Sequence, residues 1–276
     1  MTQDHTTEAP VCYRHPDRHT LLECSRCGRP ICAACSIDAS VGQRCPECVK
    51  QEGTQRVIPT GSQRSRSSGA PATMTFITLA VGFFFLTGFG RGLNGSVGEA
   101  LAQVNSAVNA GEWWRLFTPV LLHASITHIL FNMWALWVLG PQIERGVGSW
   151  PFASLYLASA AAGGAFVVFL GDPNTIAVGA SGAIFGLFGV WFNWAVRRRR
   201  TMYGRALLRQ IGFLLLINAA IPLFVPSIAW EAHLGGLIAG FLIGEIWSRL
   251  KGANASAMRT GVGAAVAILA VLAVLV

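Results

Sequence analysis

Polar and apolar positions follow two regimes along this chain. Up to about residue 71 polar residues interrupt every apolar stretch. Beyond it, uncharged or nearly uncharged runs recur at Ala72 to Gly90, Leu116 to Ile143, Trp150 to Leu170, Pro173 to Val196, Ile211 to Trp230, Ala232 to Gly244 and Thr260 to Val276. With flanks borrowed where a run is short, each supplies a helix of roughly 17 to 25 residues, the length a bilayer requires. The pattern predicts seven spans. Between the first two, Arg91 to about Ser125 is too long for a turn, and its Trp113 and Trp114 suit a bilayer interface.

Composition supports the same class. Hydrophobic residues make up 53% of the chain and charged residues 12%, with mean hydropathy +0.49. A soluble domain carries roughly a quarter charged residues. An all-α polytopic membrane protein is expected, embedded in the lipid bilayer.

Positive charge then sets direction. Arg and Lys collect before the first run, in Arg197-Arg198-Arg199-Arg200 with Arg205 and Arg209, and at Arg249, Lys251 and Arg259; the alternate loops hold little beyond Asp172 and Glu231. By the positive-inside rule the amino terminus is cytoplasmic and the carboxyl terminus extracytoplasmic. A multi-pass protein of the plasma (inner) membrane is predicted. The polar start argues against a cleavable signal peptide. The net charge of +8 is largely these flanks, and nothing supports nucleic acid as a partner.

All seven cysteines lie before residue 49. With histidine they form the pairs Cys12-x2-His15, Cys24-x2-Cys27, Cys32-x2-Cys35 and Cys45-x2-Cys48, a spacing at which both members grip one tetrahedral ion. An odd number of cysteines in tight pairs suits a disulfide framework poorly, and a cytoplasmic location keeps thiols reduced. Eight ligands fill two four-coordinate sites and leave no open position, so two structural Zn2+ are expected and no cofactor for catalysis. His19 competes with His15 for the histidine position. The spacing resembles B-box and related cross-braced fingers. That resemblance implies one ion held by Cys12, His15, Cys32 and Cys35, and a second by Cys24, Cys27, Cys45 and Cys48. The module reads as residues 1–50, binding a cytosolic protein partner or regulating. Residues 51–72, with Arg56, Arg64 and Arg66 among serines and glycines, read as a flexible polar linker.

Chemistry concentrates in the membrane part, residues 73–276. Gly179-Ala180-Ser181-Gly182 opens an apolar run, placing a hydroxyl beside the unpaired amides of a helix start, where a developing negative charge is favoured. His233 sits on another run with Gly236, Gly240 and Gly244 on one stripe; Gly182, Gly186 and Gly189 form a matching face. His128 and Asn132, four apart, share a helix face. Taken singly, such polar residues more often only bridge or pack membrane helices.

Jointly they resemble the rhomboid family of intramembrane serine proteases. The likeness runs from about residue 73 to 250. It rests on Trp114-Arg115, His128-Ile129-Leu130-Phe131-Asn132, Gly179-Ala180-Ser181-Gly182, and Ala232-His233 with Gly236 and Gly240. It implies a rhomboid-like six-helix bundle followed by a seventh helix. It also implies a dyad of Ser181 as nucleophile and His233 as base, with an oxyanion site of His128, Asn132 and the Ser181 amide. Phe185 takes the place where the family has an aromatic against the imidazole, and substrates are single-span membrane proteins cut near the outer end of the span. No acidic third member stands at the matching depth, since Asp172 and Glu231 are assigned to loops. His123 reads as structural. The competing readings are a catalytically inactive rhomboid-like scaffold, and a transporter or channel carrying a zinc-binding regulatory domain.

Overall fold

The structure, a computed structural model, describes residues 9–39, 42–53, 69–225 and 228–276. Of the segment read as a linker, residues 54–68 with Arg56, Arg64 and Arg66 lie outside the described residues. The chain divides into two compact units, Met1–Arg64 and Ser65–Val276.

In the first unit, β1 (Val11–Cys12) pairs antiparallel with β2 (His15–His19), and β3 (Ile37–Asp38) with β4 (Gln43–Arg44). One helix, α1 (Pro46–Gly53), follows, with proline at the first position, where a missing N–H costs nothing. The interior consists of Cys12, Cys24, Ile31, Cys32, Cys35, Cys45 and Cys48, with Tyr13 packed against it. Only two of these residues are not cysteine. Apolar burial of that size cannot offset the chain entropy lost on folding.

The second unit begins with α2 (Pro71–Leu86), then α3 (Ser96–Leu101), β5 (Gln103–Val104) and α4 (Asn105–Asn109). Next come the adjacent long helices α5 (Ile126–Val147) and α6 (Ser149–Leu170), and β6 (Ile176–Ala177). Four further helices complete it: α7 (Ser181–Arg197), α8 (Met202–Ala220), α9 (Trp230–Arg249) and α10 (Ala255–Leu275). By length and composition alone, α6 and α10 qualify as membrane spans, and α2 is a shorter apolar helix. The apolar window of α6 is 56% buried and that of α10 only 11%, so α6 lies inside the bundle and α10 on its flank.

Several helix limits differ from the apolar runs. The run from Leu116 does not enter an α-helix until Ile126, because Thr118–Leu121, with Pro119, is a short 3-10 turn and Ser125 caps the helix by accepting the amide of His128 at 3.2 Å. Residues 173–180 lie outside α7, held instead by β6 pairing with β5 and by Gly179 at φ +118°. Helix α8 starts nine positions before Ile211, taking in Arg205 and Arg209, whose long stems let the charges stay at the surface while the backbone remains helical. Glu231, assigned to a loop by sequence, lies in the first turn of α9.

Two devices fix the bundle. Glu144, at the end of α5 and 2% exposed, accepts the amides of Ala72 and Thr73 (2.9 and 2.8 Å) and the hydroxyls of Thr73 and Ser149 (2.7 and 2.6 Å). One carboxylate therefore caps α2 and ties it to the α5–α6 corner. The second device is backbone contact between α7 and α9. A Cβ on Gly236 would stand 1.9 Å from the Gly182 carbonyl oxygen, and one on Gly240 1.9 Å from that of Gly186. No side chain fits between these helices there, and close approach of this kind suits membrane packing.

Candidate active site and metal centres

In the first unit the ligand atoms gather into two groups, Cys12, His15, Cys32 and Cys35, and Cys24, Cys27, Cys45 and Cys48, each with its atoms within 4.8 Å of one another. No cysteine is in a disulfide. His15 Nδ1 lies 3.3, 3.4 and 3.8 Å from the sulfurs of Cys35, Cys32 and Cys12, and the Cys27 and Cys45 sulfurs are 3.8 Å apart. A tetrahedral ion with bonds of about 2.3 Å to sulfur and about 2.0 Å to nitrogen separates its ligands by roughly 3.5 to 3.8 Å. The spacing fits a metal ion in each group. His19 instead turns its Nδ1 to the carbonyl of Ala9 at 2.7 Å, away from the sulfurs. Backbone and guanidinium N–H groups of Arg29, the latter 3.4 Å from the sulfur, lower the Cys27 thiol pKa and favour the thiolate a metal binds. The guanidinium also lies over the Tyr13 ring, 4.7 Å from its centre, and the Tyr13 hydroxyl donates to Glu47, whose own pKa that bond depresses.

In the second unit, Ser181 is the first residue of α7, so its amide has no acceptor within the helix. Gly179 makes the approach possible. Its amide donates to the Pro119 carbonyl at 2.9 Å, and its φ of +118° is a backbone conformation that side chains disfavour. A Cβ there would also stand 2.6 Å from Cε1 and Nε2 of His128. The His128 ring therefore lies against the turn two residues ahead of Ser181. Below it, Asn132 is buried and donates one Nδ2 hydrogen to the His128 carbonyl at 3.0 Å; its amide carries a second donor.

His233 comes from the first turn of α9. Its ring stacks on Phe185, one turn after Ser181, with centroids 4.1 Å apart and planes within 5°. The first turns of the two helices touch, since a Cβ on Gly182 would lie 3.3 Å from the Ala232 carbonyl oxygen. His128 of α5 thus lies against the turn that leads into Ser181, and His233 of α9 lies against Phe185 one turn after it. No hydrogen bond joins Ser181 to His233 among the described residues. Such bonds are often long in ligand-free sites and tighten on complex formation.

Further buried polar residues hold the neighbouring segments, and sequence reasoning passed over two of them, Gln103 and Asn105. Gln103 and Asn105 are buried, and their side-chain amides donate to the carbonyls of Gly164, Val167 and Asp172 at 2.8 to 2.9 Å, fixing the segment that β5 and β6 share. They carry no local signal, because their partners are some sixty residues away. Arg115, 8% exposed, donates to the carbonyls of Glu99 and Ala102 and to the carboxylate of Glu112, each at 2.6 Å, and so folds residues 99–115 around itself. His123 is fully buried with its ring edge-on to His128, centroids 5.0 Å apart, and both ring nitrogens lack partners among the described residues.

The family model described as "Rhomboid domain" matches residues 110–250. Among curated proteins, "Rhomboid protease GluP" of Bacillus subtilis is 40% identical over 180 residues, covering 63% of this chain and 34% of GluP. "Putative rhomboid protease YdcA" of the same organism is 40% identical over 145 residues, 52% of this chain and 72% of YdcA. "RHOMBOID-like protein 1" of Arabidopsis thaliana is 36% identical over 150 residues, 52% of this chain and 37% of that protein. This chain is a membrane protein of the rhomboid family. It spans about a third of the length of GluP and of the Arabidopsis relative.

Proposed function

We propose that the chain is an intramembrane serine endopeptidase acting through Ser181 and His233. The observation that carries this reading is the His233 ring stacked on Phe185, one turn from Ser181, across a helix contact too close for side chains. His233 takes the hydroxyl proton as Ser181 Oγ attacks a peptide carbonyl carbon. The resulting oxyanion is received by the Ser181 amide, His128 and the free Nδ2 donor of Asn132. His233 then gives its proton to the leaving amine; in the second half it deprotonates the water that attacks the acyl-enzyme, and Ser181 recovers its proton. Phe185 fixes the imidazole plane in place of an acidic third member.

Substrates on this reading are single-span membrane proteins, cut near the outer end of the span. A helix must unwind locally there, because its peptide groups are otherwise paired. The membrane part, residues 73–276, crosses the bilayer seven times, with a cytoplasmic amino terminus. Residues 1–50 form a module with two structural Zn2+ and bind a cytosolic protein.

The test incubates purified protein and its Ser181→Ala form with a serine-directed fluorophosphonate and with tagged single-span helices. Labelling and cleavage by the parent, both lost in Ser181→Ala, are the expected result. An intact, folded protein that neither labels nor cuts would instead be an inactive scaffold.

A further inference from the structure

The turn between α7 and α8 and the first turns of α8 gather cations that no described acid neutralises. Arg198, Arg199, Arg200, Arg205 and Arg209 are all exposed. The nearby acid, Glu245, is already engaged by Arg197 and Arg249, each at 2.9 Å, and by the Asn193 amide at 3.0 Å. Among the described residues none of the five has a carboxylate within ion-pair distance. Topology alone requires positive charge on this side, and dispersed mobile cations would satisfy it.

Three of these side chains, Arg198, Arg199 and Arg205, are held in place. The Arg198 guanidinium lies 4.0 Å over the Trp194 ring, whose edge meets Tyr203 at 5.6 Å. Arg199 and Arg205 each return one N–H to a backbone carbonyl, of Val196 and Arg200, leaving the rest of their five donors outward. Thr201 caps α8 by accepting the Gly204 amide at 3.0 Å, so the positive end of a 19-residue helix faces the same place. Met202 and Tyr203, 82% and 61% exposed, flank the cations with apolar surface suited to the bilayer interface.

We infer that the α7–α8 turn is a binding site for an anionic phospholipid headgroup in the adjoining leaflet. The arginines take the phosphate, and Trp194, Tyr203 and Met202 lie along the glycerol and upper acyl region. A free phosphate would use only the cations and leave that apolar flank unexplained. The site lies at the end of α7 opposite Ser181 and does not depend on the proteolytic reading.

The test reconstitutes the full chain into phosphatidylcholine vesicles containing a minor fraction of phosphatidylglycerol. Spin-labelled lipids then report the preference of the protein-bound shell for phosphatidylglycerol over phosphatidylcholine. Both leaflets carry both lipids, so orientation does not affect the result. A cation near an anionic surface is worth roughly fivefold in partitioning. The triple variant R198Q/R199Q/R205Q should therefore lower the preference by about fivefold or more, and R198K/R199K/R205K should retain most of it. A parent shell without preference would overturn the proposal. So would an equal loss in R14Q/R18Q/R26Q, which removes the same charge from the other unit, because the effect would then be long-range attraction and no site. If the triple Gln variant fails to fold, the single variants R198Q and R205Q decide in its place: each should lower the preference, and a preference unchanged in both would overturn the proposal.

Discussion

The two units of this chain are held together in opposite ways. The described residues of 9–53 bury hardly anything except cysteine sulfurs, and Ile31 is the one fully buried aliphatic side chain among them. Residues 71–275 bury a continuous interior that includes Ala80, Phe84, Leu136, Phe152, Leu155, Tyr156, Leu187 and Ile243, and they pack helices backbone to backbone. In the first unit, on the two-zinc reading proposed above, stability resides in eight ligand atoms. In the second it is spread over many contacts, and what depends on single atoms is the placement of Ser181, His233 and His128.

The comparison is sharpest under metal removal. Structural zinc contributes about 10 to 16 kcal/mol in small finger peptides. Chelation of the full-length protein should therefore unfold residues 9–53 with release of two metal ions per chain, while the helical signal of the second unit persists. Amide hydrogen exchange resolves the two units. Protection of residues 9–53 that survives complete chelation would break the contrast.

Next in size is Gly240→Leu. Even the Cβ of the new side chain would stand 1.9 Å from the Gly186 carbonyl oxygen, so α7 and α9 must separate. A displacement of about 1 Å at a reacting centre costs on the order of a hundredfold in rate. Proteolysis should fall by at least that much, and before the fold is lost. Gly212→Leu on α8, where nothing lies within 4 Å, is the matched control and should leave activity unchanged. An active Gly240→Leu variant would show that the contact does not set the site.

Smallest is Glu144→Ala, which orphans two buried amides and two hydroxyls at the α2 cap. Unsatisfied buried donors cost about 1 to 3 kcal/mol each, and hydroxyls can turn to other acceptors. A loss of about 2 to 4 kcal/mol is expected in unfolding in detergent, with cleavage by the folded fraction unchanged. A fall in activity without a fall in stability would instead link this cap to the site.

Much of the second unit was legible because its signals are local. Uncharged runs mark helices through the cost of burying charge, and Gly179-Ala180-Ser181-Gly182 marks a helix mouth through backbone freedom. The limits of α5 and α7 were less legible, because Ser125 and Gly179 act through a cap and a turn inside otherwise apolar sequence. Glu144 went unread because a carboxylate at the end of an apolar run looks like a surface charge until its donors, some seventy residues away, are known.

The sequence by itself determined which side chains are available: paired thiols with a histidine, a serine at a helix start, an imidazole and a glycine stripe on later helices. Tertiary structure decided which of them meet. It brings His15, and not His19, to the sulfurs, stacks His233 on Phe185, sets the buried His123 against His128, and leaves the arginines after α7 without an acid in ion-pair distance among the described residues. Each of these outcomes depends on atoms distant in the chain, and their approach is governed by packing at the ångström scale, which residue type and spacing do not encode.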